Sequence, residues 1–103
     1  MRNYKKLMQQ YRLPRDRYIY LRDMCRRYRL LSDDGKRPID EAVFIMLGEG
    51  EKTDMLAAWV FRYVTSDRYS WARLHAMGIP CGEDTFRVYR ARFFWTLDGV
   101  LRN

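Results

Sequence analysis

Residues 69–97 read YSWARLHAMGIPCGEDTFRVYRARFFWTL, and the punctuation of this stretch sets the fold class. Ser70 is suited to cap a short helix whose apolar residues Trp71, Leu74 and Met77 follow a three-residue step, and Gly78 is suited to end it in a left-handed conformation. Ile79 then turns inward. Pro80 and Gly82 keep residues 79–82 from continuing as helix, and Glu83 and Asp84 favour the positive end of the next one. From there Phe86, Tyr89, Phe93, Leu97 and Val100 recur at i, i+3, i+7, i+11 and i+14, a single apolar helical stripe. A short support helix, a turn and a longer second helix in this order form a helix-turn-helix-like pair, which can deliver the start of the second helix to the DNA major groove.

On a wheel turning about 100° per residue, the side opposite Phe86 collects Asp84, Arg87, Val88, Ala91, Arg92 and Trp95. A planar guanidinium there can pair with guanine through two hydrogen bonds or grip a phosphate. The expected DNA contacts are Arg68, Ser70, Arg73, Thr85, Arg87, Val88 and Arg92, with Arg87 the foremost candidate to read a base. The competing reading is a plain antiparallel helical hairpin with a solvated arginine face. Glu83 and Asp84, which approach any phosphate at this helix start, favour that reading.

A chain of 103 residues is one domain's worth. With 48% apolar and 16% aromatic residues it is too rich in core formers to be disordered. Periodicity predicts an all-α, single-domain bundle (1–103) of about five helices. These comprise a basic helical half at 1–31, central helices at 38–65 and the helix-turn-helix-like unit at 69–101. The first helix is expected from Asn3 to Arg12, stopped by Pro14. The second is expected from Arg15 to Leu31, with Tyr18, Leu21, Cys25 and Tyr28 on one face. Ser32, Asp33, Asp34 and Gly35 are read as its end, with Pro38 opening a third helix near Ile39 whose apolar side is Ile39, Val43, Met46 and Leu47. Gly48 and Gly50 make a break or a bend, so the third and fourth helices are either separate or fused. The fourth, containing MLAAWVFRYV (55–64), is apolar almost all round and is expected to be central, with Trp59 buried.

Formal net charge is +7, unevenly placed. Residues 1–30 carry +8, residues 31–66 carry −3 and residues 67–103 carry +2. Two basic ends flanking an acidic middle suit a polyanionic partner such as double-stranded DNA, through counterion release and steering. Solubility is the alternative use of such charge. Arg22, Arg26 and Arg29 form an expected auxiliary basic patch, which gains force if the two basic ends face the same way.

Catalytic, metal-binding and cofactor-binding patterns do not emerge, and the chain reads as non-enzymatic. His75 has no nucleophile near it in sequence. Gly48-Glu49-Gly50 lacks the lysine and hydroxyl of a phosphate cradle. Asp33, Asp34, Asp40 and Glu41 are explained by helix starts more simply than by a metal, and Cys25 and Cys81 have no zinc spacing and are read as reduced thiols. The apolar run from Met55 to Val64 is broken by Arg62 and is far shorter than a membrane span. Residues 1–13 alternate basic and apolar types without a signal-peptide core. A cytoplasmic protein is expected.

Tyr4, Tyr11, Tyr18, Tyr20 and Tyr28 are interleaved with arginine and lysine, a mixture that either stacks single-stranded bases or forms the edge of an amphipathic core. Phe94 and Trp95 fall at the margin of and opposite the Phe86 stripe, and are expected to form a partner surface toward another protein or a second copy in a homodimer.

YLRDMCRRY (20–28), VFRYVTSDRYSWARL (60–74) and the ending GIPCGEDTFRVYRARFFWTLDGVL (78–101) resemble a family of short helix-turn-helix proteins from phages and prophages of Gram-positive bacteria. The final segment is more distantly similar to the promoter-binding end of sigma factors and to ArpU-like phage late transcription regulators. It departs from the sigma pattern in its longer turn with Pro80 and its Phe93-Phe94-Trp95 end. The resemblance implies a phage DNA-binding transcription regulator with Arg87 and Arg92 on its second helix, acting in the cytoplasm of a host cell. Two alternatives remain open: a phage inhibitor that binds a host protein, such as RNA polymerase or a defence nuclease, and a ring-forming DNA-packaging subunit.

Overall fold

The computed structural model describes residues 4–48 and 51–103, and every regular element among them is helical. The order is α1 (Tyr4–Gln10), α2 (Arg15–Arg26), a 3-10 turn (Tyr28–Leu30), α3 (Asp33–Leu47), α4 (Glu51–Val64), α5 (Trp71–Ala76) and α6 (Glu83–Arg102). The all-α expectation holds. The expected start of the first helix at Asn3 and the break at Gly50 lie outside the described residues. No described helix is long and apolar enough to cross a membrane.

One apolar cluster runs through the body. Leu21 and Cys25 enter it from α2, Ile39, Ala42 and Met46 from α3, Leu56, Ala57, Val60 and Val64 from α4, and Leu74 from α5. Phe86, Phe93, Phe94 and Leu97 enter from α6. The central element is therefore α6, which packs against α1, α2, α3 and α4, and not α4 as its apolar composition suggested. Met55, Ala58 and Arg62 leave one side of α4 exposed. Trp59 is half-buried, with the Arg62 guanidinium 5.3 Å from its ring.

The start of α3 corrects the reading of 32–38. Ser32 is not part of a terminator: its Oγ accepts a hydrogen bond from the Gly35 amide at 3.2 Å and caps a helix that begins at Asp33. Asp33 and Asp34 then lie in the first turn, where the helix dipole favours them. Pro38 sits in the second turn and forfeits the bond to the exposed Asp34 carbonyl, which water can satisfy. Gly35 answers a close approach, since a Cβ there would lie 3.2 Å from Leu31 Cβ. On α3 itself, Ala42 takes the buried place expected of Leu47, which is exposed.

α2 is shorter than expected. After Arg26 the chain tightens into the 3-10 turn, with the Leu30 amide bonded to the Arg27 carbonyl at 2.9 Å. This carries Tyr28 edge-on to Phe61 at 5.1 Å and its hydroxyl to Asp40 at 2.7 Å. The bond to Asp40, and then burial, push the Tyr28 phenol up to about 12.

α1 changes the character of α6. Met8, Tyr11 and Leu13 line one recess with Ala91 and Phe94, and Tyr11 meets Trp95 edge-on at 5.7 Å. Phe94, expected at a partner surface, is 1% exposed, packed edge-on against Tyr18 at 5.2 Å and Phe93 at 5.5 Å. Trp95 stays 49% exposed despite its contact with Tyr11. At the far end, Asp98 is 7% exposed and joins α6 to α2 through a short ion pair with Arg17, while its second oxygen takes Arg102 at 3.0 Å.

Phe94→Ala should cost about 3–5 kcal/mol in urea unfolding, as a buried ring does. A loss under about 0.5 kcal/mol, the surface-substitution range, would return Phe94 to the outer face. Burial pushes the Cys25 thiol up to about 12, and neither cysteine is in a disulfide. A thiol reagent at pH 8 should therefore modify the half-buried Cys81 in the native protein and both thiols only after unfolding, because the thiolate is the nucleophile.

Candidate nucleic-acid interface

The turn between α5 and α6 is built as its residues suggested. Ser70 Oγ accepts from the Arg73 amide at 3.1 Å and caps α5. At the other end Gly78 adopts φ +93°. Its amide bonds to the His75 carbonyl at 3.1 Å, and the Ile79 amide bonds to the Leu74 carbonyl at 3.2 Å. This pair of bonds is a Schellman motif, and the burial of Ile79 and Leu74 supplies its usual apolar contact. Trp71 completes the junction, 5.5 Å from Phe86 of α6. A helix-turn-helix-like pair is thus present, with both ends of its short helix satisfied.

The second helix is less available than the wheel implied. Val88, expected on the DNA-contacting side, is 5% exposed. It shares the i, i+3, i+7 stripe of Ala91 and Trp95, and this is the side on which α1 lies. Arg92, also on that side, is half-buried. In the first turns of α6 the exposed side chains are Glu83, Asp84 and Arg87, with Thr85 partly covered. Arg87 lies 3.7 Å from Glu83 in an i, i+4 pair. Such an exposed pair is worth about 0.3–0.5 kcal/mol, so a stronger acceptor can displace it. Ser70 is exposed, and its Oγ, which accepts the capping bond, keeps a hydroxyl proton to donate.

The basic groups gather elsewhere, around the loop from α4 to α5. Thr65 ends α4 with its hydroxyl on the Phe61 carbonyl at 2.7 Å. Ser66 Oγ then accepts from the Arg68 amide at 3.1 Å. Arg73 reaches back from α5 to the Arg68 carbonyl at 3.0 Å, its guanidinium 4.9 Å from the Tyr69 ring. Against this loop stand the expected auxiliary arginines of the N-terminal half. Arg26 and Arg29 share one recess with Ser66, Asp67 and Arg68. Arg22 and Arg26 share another with Ser66, Asp67 and Arg90. Arginines from both basic ends of the chain therefore line neighbouring recesses on one side, which the sequence left open.

Arg90 was missed. It falls about 40° from Phe86 on the wheel, on the core side, where an arginine stands out. It escapes burial by pointing past Tyr63, whose hydroxyl accepts from Arg90 Nη1 at 3.2 Å while the guanidinium lies 5.4 Å from the ring. Comparison with protein-family models, curated proteins and solved structures gave no match.

Gly78→Ala should destabilise the protein by about 1–2 kcal/mol, the cost of holding a Cβ in a left-handed backbone. Beyond its two chain neighbours, no atom of the described residues lies within 4 Å of the position a Cβ would take, so Gly78→Asn should lose less. Equal losses in chemical unfolding would place the penalty in packing and not in the backbone.

Proposed function

We propose that the protein is a non-enzymatic, phage-type DNA-binding regulator that grips duplex DNA with the basic side around the α4–α5 loop. Arg68 and Arg73, beside the helix-turn-helix-like unit, and Arg26 and Arg29, across the loop, would hold phosphates. Arg87, exposed in the first turns of α6, is the side chain best placed to approach base edges. The observation that carries this reading is the convergence of both basic ends on one side of the molecule, next to the start of α5. Bringing like charges together is unfavourable by itself, and a polyanion that releases its counterions offsets that cost.

A second reading, an inhibitor that docks on a host protein, is favoured by a different feature. α1 occupies much of the outer side of α6, and Phe44, Leu47, Met55 and Trp95 remain exposed. A transcription regulator in the host cytoplasm remains the setting that the resemblance to phage proteins implies for the first reading.

Fluorescence anisotropy against a selected duplex and a scrambled one, each at two salt concentrations, separates these possibilities. Arg26→Ala and Arg68→Ala should weaken both duplexes alike and each lower the log–log salt slope by about 1. Arg87→Ala should cost about 1–3 kcal/mol on the selected duplex and little on the scrambled one. A flat salt response removes the nucleic-acid reading. Tight binding to a host protein, unaffected by these three changes, moves the assignment to the inhibitor.

A further inference from the structure

The recess that Arg22, Arg26 and Arg90 share adjoins the basic side around the α4–α5 loop and has a character of its own. It occupies about 320 Å³ between α2, the α4–α5 loop and α6, with Tyr18, Tyr63 and Phe94 among its walls. Three arginines from two helices line it, and Asp67 is the one carboxylate among the described residues lining it, while Arg22 Nη2 also lies 3.4 Å from Asp23 of its own helix. Arg22 and Arg26 stand four residues apart on α2, an arrangement of like charges that costs a helix a few tenths of a kcal/mol.

Two details show donors already prepared. Arg90 is aimed by its bond to the Tyr63 hydroxyl, so little freedom is lost when it meets an acceptor. Arg22 has its Nε buried with no hydrogen-bond partner among the described residues. A desolvated donor without a partner is costly, and a turn of the Arg22 side chain that brings this Nε to an acceptor in the recess relieves that cost.

We propose that this recess binds a phosphomonoester, the terminal phosphate of a nucleotide. A monoester near neutral pH carries close to two negative charges and three strong acceptor oxygens, which suits three guanidinium groups around one small space. A phosphodiester carries one charge and is flanked by sugar on both sides, so it fits an open ridge better than a recess between helices. The same chemistry is offered by the end of a nucleic-acid strand and by a free mononucleotide.

The test uses the full chain and two matched pairs of probes: 3′-labelled oligothymidylate with a 5′-phosphate or a 5′-hydroxyl, and thymidine 5′-monophosphate or thymidine as competitors. At least one phosphorylated probe should bind about tenfold tighter than its hydroxyl counterpart, the effect of roughly one charge-assisted hydrogen bond. A preference among the oligonucleotides identifies a strand end as the source. A preference confined to the competitors identifies a mononucleotide.

Arg26→Gln, an exposed change that should leave the fold intact, and Arg90→Gln should each abolish the preference, whereas Arg87→Gln should retain it. Thermal unfolding of each variant confirms that the comparison is between folded proteins. Equal affinity within both pairs overturns the proposal, as does a preference that survives both Arg26→Gln and Arg90→Gln. Binding of a long duplex with hydroxyl ends, measured alongside, reports on the regulator reading separately, so either can fail while the other stands.

Discussion

The structure depends on enclosing one helix that is apolar on more than one side. Along α6, Phe86, Phe93 and Leu97 join the apolar cluster with residues of α3 and α4, and Phe94 packs against Tyr18 of α2 and lines a recess with Met8 of α1. Full burial of such a side chain contributes about 1.5–3 kcal/mol, so leaving the second side in water would forfeit a large share of a small domain's stability. α1 and the residues after it cover that side, and Asp98 ties the last turns of α6 to Arg17 of α2. A helix enclosed in this way cannot lie in a groove along its length. In its first turns the exposed side chains are Glu83, Asp84 and Arg87.

The distribution of acids follows from the same frame. Asp98 is spent on Arg17 and Arg102, Asp34 on Arg37, Asp40 on Tyr28, Glu83 on Arg87 and Asp23 on Arg22. Around the α4–α5 loop the arginines of α2, the loop and α6 are brought together with Asp67. Screening over about 8 Å at physiological salt makes such local grouping matter more than the total of +7.

Much of the local structure was legible because it rests on contacts between residues close in sequence. Ser70, Gly78 and Ile79 are read from the chemistry of caps and left-handed turns, which needs no distant partner, and each takes the role its type suggests. The stripe Phe86, Phe93, Leu97 is likewise a property of helical period. Where local rules compete, the outcome was not legible: Ser32 and Gly35 can close one helix or open the next, and Pro38 can sit at the first turn or the second. Packing of Gly35 against Leu31 and capping by Ser32 decide for the longer α3.

The sequence by itself determined an all-helical chain, the position and geometry of the α5–α6 turn, and a charge pattern concentrated at its ends. Only the tertiary structure decided which side of each helix faces water, because a wheel describes one neighbour and α6 has several. Val88 and Phe94 are removed from the surface for that reason, and α4 yields the central place to α6. The meeting of Arg22 and Arg26 with Arg90 had the same origin, since helices distant in sequence are brought together by the apolar residues between them and their charged edges follow.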